Sequence, residues 1–216
     1  MKPTKHTDTP EFPYSVSMFD DGYYGGRARG GFGPEVFWDH PIQMEQLRGK
    51  MNTIRNAGDF STVLFVGCGI GNEVRYFRIH GKDAHGVDVS EVAIARCDAS
   101  IREHVQKYNG WLLDSFKDKS MDVVASFDVL TLIPQGMLEK LAKEMKRVSS
   151  GSIVFRTPVD KHENQGGKYI GNDGVSFRCL TRNQWVGLFS GDGFALTKAM
   201  DSFNVPEEMI FIFSRI

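Results

Sequence analysis

Residues 63–71 read Val-Leu-Phe-Val-Gly-Cys-Gly-Ile-Gly, an apolar run that passes straight into three glycines on alternate positions. Val63 to Val66 are β-branched or large and apolar, which suits a buried strand. Gly67, Gly69 and Gly71 remove every second Cβ from the turn that follows. The backbone there is free to take positive φ and to approach a ligand closely. From Asn72 to His80, Val74 and Phe77 stand at helical spacing, and Gly81 stops the run. The glycine turn therefore lies between a strand end and a helix N-terminus, where free N–H groups favour an anionic or carboxylate-bearing ligand.

A second strand-like run, Ala84-His85-Gly86-Val87, ends in Asp88, about 20 residues after Gly67. An acidic residue at that distance is placed to grip a ribose, since its two oxygens accept from both hydroxyls. The alternative for Asp88 is a capping role before Ser90. Together the two signals point to a nucleoside-containing cofactor. The third glycine follows as G-x-G-x-G rather than G-x-G-x-x-G, which disfavours a pyrophosphate cofactor and an NAD-dependent enzyme.

Outward from this core, strands and helices alternate. A helix is expected over 40–57, with Pro41 in its first turn and Leu47, Met51 and Ile54 on one face. Strands are expected at 62–66, 84–88, near 105–112, at 121–126 and at 152–155. Helices are expected at 72–80, from the Ser90 cap through about 102, and after Pro134. Thr181-Arg-Asn-Gln184 is a capping box ahead of Trp185, Leu188 and Phe189. The stretches 194–200 and 209–216 read as two more strands with too little chain between them for a parallel crossover, so one should run antiparallel. Such alternation implies a mostly parallel sheet covered on both faces.

The bulk properties narrow the class. At 216 residues the chain is long enough for one sizeable core, with residues 1–58 as an N-terminal lid or helical extension and 59–216 as the main domain. A formal charge of −1 argues against a nucleic-acid partner, which usually meets a basic face. Three dispersed cysteines, Cys68, Cys97 and Cys179, read as reduced and cytoplasmic rather than disulfide-bonded or zinc-binding. No apolar run approaches the ~20 residues of a membrane span. The N-terminus also lacks the apolar core of a secretion signal.

Several segments in order resemble the class I S-adenosylmethionine-dependent methyltransferases, type 11/12. They are Val63 to Gly71, Gly86-Val-Asp-Val-Ser90, Ala93-Ile-Ala-Arg96, Phe116 to Ser126 and Val129-Leu-Thr-Leu-Ile-Pro134. The resemblance covers roughly residues 60–216. It implies a doubly wound α/β fold with a mostly parallel seven-stranded sheet whose last strand is antiparallel, S-adenosyl-L-methionine as cofactor, and methyl transfer. It departs from the family at Phe65, two residues before the first glycine, where the family usually carries an acid that helps hold the methionine end. The implied cofactor residues are Gly67, Cys68, Gly69 and Gly71 in the loop, Asp88 and Val89 at the ribose, and Asn109, Trp111 and Leu112 near adenine. Ser126 and Phe127 are implied beside the methyl group. Trp111 either stacks on the base or is a core aromatic, and Asp114 competes for the adenine amine.

Catalytic groups are less legible. Asp128, at the end of the fourth strand, is a candidate for orienting the acceptor. His162, in an expected long loop 157–176, is a candidate general base. Asp160, His162 and Glu163 form a weak metal-ligand cluster, and the expected number of bound metals is none. The Gly-rich aromatic segment 19–33, with Tyr23, Tyr24 and Phe32, resembles a lid closing over the cofactor. Arg27 and Arg29 within it raise an RNA-interacting reading. The expected activity is methylation of an O or N atom of a small metabolite or glycan precursor. A non-catalytic cofactor-binding module is the rival, with Phe65 its support.

Overall fold

The computed structural model describes residues 21–24, 40–160, 168–170, 176–202 and 208–216, and all structural statements refer to these. A short helix α1 spans Asp21–Tyr24, and α2 spans Pro41–Arg55. Pro41 sits in the first turn of α2, and the His40 side chain accepts from Ile42 N. Strand β1, Thr62–Val66, leads through the glycine turn into α3, Asn72–Ile79. Strand β2, Asp83–Asp88, is followed by α4, Glu91–Ala95, and β3, Val105–Lys107. Then come β4, Met121–Phe127, α5, Gln135–Val148, and β5, Ser149–Asp160. The chain ends with β6, Lys168–Ile170; β7, Ser176–Arg178; β8, Leu180–Thr181; α6, Arg182–Phe189; β9, Phe194–Asp201; and β10, Glu208–Arg215.

The main sheet runs β3-β2-β1-β4-β5-β10-β9, with β8 pairing beside β5. Strands β3, β2, β1, β4 and β5 are mutually parallel, and β10 is antiparallel to both β5 and β9. Sequence order reverses at β1, with β2 on one side and β4 on the other. Ligands of open α/β sheets bind at that switch point, outside the strand C-termini. The alternation of β1 explains the two cores. Leu64 and Val66 join α5 and α6 through Met137, Leu141, Trp185 and Phe189. Val63 and Phe65 face the other way, onto Leu47, Met51 and Ile54 of α2 and Phe77 of α3. Both faces of the central strands are dry, as a parallel sheet requires.

Three expected elements differ from those observed. The helix after Ser90 does not run through 102. It stops at Ala95, and a 3₁₀ segment, Ala99–His104, follows. Asp98 causes the break: its carboxylate accepts from Ser100 N at 2.9 Å, a local bond that competes with a continuing helix. Strand β3 ends at Lys107 rather than near 112, because Asn109 Oδ1 turns the chain by accepting from Trp111 N and Leu112 N. Strand β5 extends well beyond Phe155, because β10 pairs as far as Pro158 and β8 pairs with Val159 and Asp160. The expected loop 157–176 therefore begins as strand, and β6 pairs antiparallel with β7. The capping box at Thr181 is formed in both directions.

Candidate functional site

The glycine turn is built for close approach. Gly67, Gly69 and Gly71 have φ of 74°, 55° and 82°. A Cβ on Gly67 would lie 2.4 Å from Val129 Cγ2, and one on Gly71 would lie 2.6 Å from Ile101 Cδ1. Gly67 N and Cys68 N both donate to Val87 O, which ties the start of the turn to β2. Asp88 is the hinge of the arrangement. Its Oδ2 accepts from Gly69 N at 2.8 Å and its Oδ1 from Ser90 N at 2.9 Å. Each carboxylate oxygen keeps further lone-pair capacity for a ligand. Burial raises the Asp88 pKa against the opposing pull of those backbone donors.

Around this hinge a cavity follows the C-terminal edge of the sheet from β3 to β5. It is lined by Gly67, Cys68 and Gly69 of the turn, by Asp88 and Val89 after β2, and by Tyr108 after β3. Phe127, Asp128, Val129 and Ile133 line the β4 side, and Arg156 stands beyond them on β5. Gln43, Gln46 and Lys50 of α2, Asn72 and Glu73 of α3, and Tyr23 and Tyr24 of α1 complete the wall. Tyr24 is buried, and its hydroxyl is hydrogen-bonded to the Ser90 side chain; burial and then the nearby Asp88 raise its pKa.

Asp128 takes a left-handed conformation, φ 65°, which Asp tolerates better than most residues. Arg156 holds its carboxylate with two hydrogen bonds, Nε to Oδ1 at 2.8 Å and Nη2 to Oδ2. Arg156 Nε also lies 3.3 Å from Glu208 Oε2. Burial opposes the charge on Arg156, but Asp128 and Glu208 outweigh it and the pKa rises.

The structure does not bring every sequence candidate to the cavity. Asn109 is occupied as the turn-former described above, and Leu112 and Asp114 are exposed away from the lining. Trp111 packs against the core cluster of α5 and is not among the lining residues, so the core-aromatic alternative is the observed one. Tyr108, three residues earlier, lines the cavity. Tyr108 N donates to Asp88 O, which fixes it beside the C-terminal end of β2. Ser126 is also absent from the lining. Its hydroxyl donates to Val66 O at 3.1 Å, joining β4 to β1 below the cavity. Cys68 lines the cavity, and burial pushes its thiol pKa well up. His162 and Glu163 lie outside the described residues, as do Arg27, Arg29 and Phe32; Asp160 is buried at the end of β5.

Sequence reading missed Lys50, Glu73 and Arg156. The α2 residues Gln43, Gln46 and Lys50 do carry a signal, since they recur at helical spacing on one polar stripe. Arg156 carries none, because its partners Asp128 and Glu208 are distant in sequence.

Residues 64–155 match a family model described as a methyltransferase domain. No curated protein matches the sequence significantly. Among solved structures, the PH0226 protein of Pyrococcus horikoshii OT3 superposes with a TM-score of 0.69 at 16% identity, covering 90% of this chain and 98% of its own. The geranyl diphosphate C-methyltransferase of Streptomyces coelicolor A3(2) gives 0.65 at 17% identity, covering 82% of this chain and 80% of its own. The glycopeptide N-methyltransferase MtfA, complexed with S-adenosyl-L-methionine, gives 0.60 at 11%, covering 80% and 86%. At these identities the likeness speaks for the fold.

Residues 64–155 thus carry a match to a methyltransferase domain, and the sheet order sets the glycine–Asp88 hinge at the switch point of that matched segment. The donor set fits S-adenosyl-L-methionine, the ligand of the MtfA complex. The cavity offers a carboxylate with spare acceptor capacity, a backbone cradle without Cβ atoms, and aromatic faces at Tyr23, Tyr108 and Phe127. Among the described residues, no helix is long and apolar enough to cross a membrane.

Proposed function

We propose that the chain methylates an O or N atom of a small metabolite or glycan precursor, in the cytoplasm. The observation that carries this reading is Asp88, bonded to Gly69 N and Ser90 N, with its carboxylate at the wall of a cavity over the switch point. In this reading Asp88 receives the ribose hydroxyls and Tyr108 takes the adenine face. Gly67 and Gly69 let the chain lie against the cofactor, with Val89 beside the ribose. Phe127 and Asp128 border the methyl position. When bound, S-adenosylmethionine supplies a methyl on a sulfonium: the S–C bond breaks with its electron pair going to sulfur, as the acceptor lone pair forms the new bond.

The protein's own contribution is alignment and dryness. Asp128 accepts a hydrogen bond from the acceptor and orients its lone pair, and Arg156 keeps the Asp128 carboxylate in place. Tyr23 and Tyr24 line the cavity from the N-terminal side, in keeping with a lid. The solved relatives named for a glycopeptide and for geranyl diphosphate support a modest-sized acceptor. One of them is a C-methyltransferase, so the fold does not choose the atom. Phe65, the support for a non-catalytic module, is 2% exposed against Phe77 and takes no part in the cavity.

The test begins with calorimetric titration of S-adenosylhomocysteine into the wild type and Asp88→Ala. Binding in the wild type that falls by about tenfold or more in the variant is expected, since a charge-assisted bond is lost. An acceptor panel of amines and hydroxyl compounds, read by S-adenosylhomocysteine production, then settles the atom. Cofactor binding with no turnover on any acceptor would overturn the transfer reading in favour of a sensor.

A further inference from the structure

The cavity has a direction, set by the sheet order. Tyr108 and Val89 stand at its β3–β2 end, and Phe127, Asp128 and Arg156 at its β4–β5 end. With the ribose on Asp88 and adenine toward Tyr108, the amino-acid end of the cofactor points toward β4 and α2. Among the described residues, one ion pair at that end is left unused by the transfer reading. Lys50 of α2 is paired with Glu73 of α3, and both side chains are largely withdrawn from water, at 13% and 15% exposure.

One side of the pair is aromatic, while Gln43, Gln46, Asn72 and Arg156 share its cavity wall. Lys50 Nζ lies 5.2 Å from the Phe127 ring centroid. Phe127 in turn packs near Phe65, centroids 6.5 Å apart, and Phe65 meets Phe77 edge-on at 4.9 Å. An ion pair held against aromatic rings is a poor way to stabilise a fold, because desolvation offsets most of its attraction. It is a good way to present two opposite charges to a ligand that carries two. The α-amino acid end of S-adenosylmethionine bears one ammonium and one carboxylate.

We propose that Lys50 and Glu73 form the clamp for the amino-acid end of the cofactor: Glu73 accepts from the ammonium and Lys50 donates to the carboxylate. The inference rests on the cofactor orientation given above. It also answers the departure at Phe65. The strand position where the resemblance implies an acid is filled by a core ring, and the negative charge stands instead in the first turn of α3. Binding then makes an alternating four-charge cluster in which each group keeps an opposite neighbour.

The test compares two ligands on the full-length chain by calorimetry. S-adenosylhomocysteine carries the amino-acid end; 5′-methylthioadenosine lacks it. Glu73→Gln is expected to weaken S-adenosylhomocysteine about tenfold or more while leaving methylthioadenosine within about twofold. Lys50→Met should show the same split, and it carries the comparison if circular dichroism shows Glu73→Gln to be unfolded. Unchanged S-adenosylhomocysteine affinity in both variants would overturn the clamp. Equal losses for both ligands would overturn it too, since the pair would then only shape the cavity. Failure of the wild type to bind either ligand would instead sink the cofactor assignment, and the clamp with it. Wild-type preference for methylthioadenosine would overturn the clamp alone.

Discussion

A methyl group on Gly67 would lie 2.4 Å from Val129 Cγ2, on a residue whose φ is 74°. Gly67→Ala must therefore both strain the backbone and displace the wall of the cavity. A destabilisation of about 1–3 kcal/mol is expected from the left-handed conformation alone, read by thermal unfolding. Loss of S-adenosylhomocysteine binding should accompany it in calorimetry. Asp128 is a different kind of residue. It lines the cavity without contributing to the glycine–Asp88 hinge, so Asp128→Ala should lower kcat about 10²-fold and leave cofactor affinity nearly unchanged. Equal losses in kcat and in cofactor affinity would place Asp128 on the cofactor instead. The glycines and Asp88 were legible from spacing, because a strand, a tight turn and a second strand are local. Tyr108 was not. The resemblance points to Trp111 or Asp114 near adenine, whereas Tyr108 lines the cavity and Trp111, after the turn at Asn109, packs against the core.

At the scale of elements, α5 is clamped to the segment before β4 through two of its residues. Arg147 donates to Phe116 O and Leu113 O and pairs with Asp118, while Glu144 accepts from Leu113 N at 3.0 Å and from Arg147. The hydrogen bond from Arg147, with that from Leu113 N, holds the Glu144 carboxyl below its ordinary pKa despite partial burial. A depressed carboxylate stabilises the fold above its unfolded pKa of about 4.3, and that contribution is lost as pH falls through the folded value. Glu144→Gln should therefore cost about 1–2 kcal/mol near pH 7, and the gap to wild type should close as the pH drops below about 4, in urea unfolding series. A gap independent of pH would show that the clamp acts by shape and not by charge. The capping box at α6 predicts a smaller effect: Thr181→Ala should lose about 1 kcal/mol at neutral pH.

At the scale of the whole molecule, the cavity draws on α1, α2, α3 and five strands, so occupation should brace the sheet. At a ligand concentration of about 100 times Kd, S-adenosylhomocysteine should add about 2.7 kcal/mol. For a chain of this size that is a rise of roughly 5–10 °C in Tm. The rise should be largely absent in Asp88→Ala at the same concentration. A wild type whose Tm ignores the ligand would contradict the cofactor assignment.

Also at this scale, the sequence by itself determined the strand–helix alternation, the glycine turn, the acidic end of β2 and the antiparallel pairing of the last two strands. Each is a matter of side-chain period, local backbone freedom or available chain length, and these act between near neighbours. Only the tertiary structure decided that β5 runs on to Asp160, because that length depends on β8 and β10 lying alongside. It alone placed Arg156 on Asp128 and Lys50 on Glu73. Those pairs join residues from separate elements, and their meeting is set by how the helices and strands pack around the switch point, which no local spacing encodes.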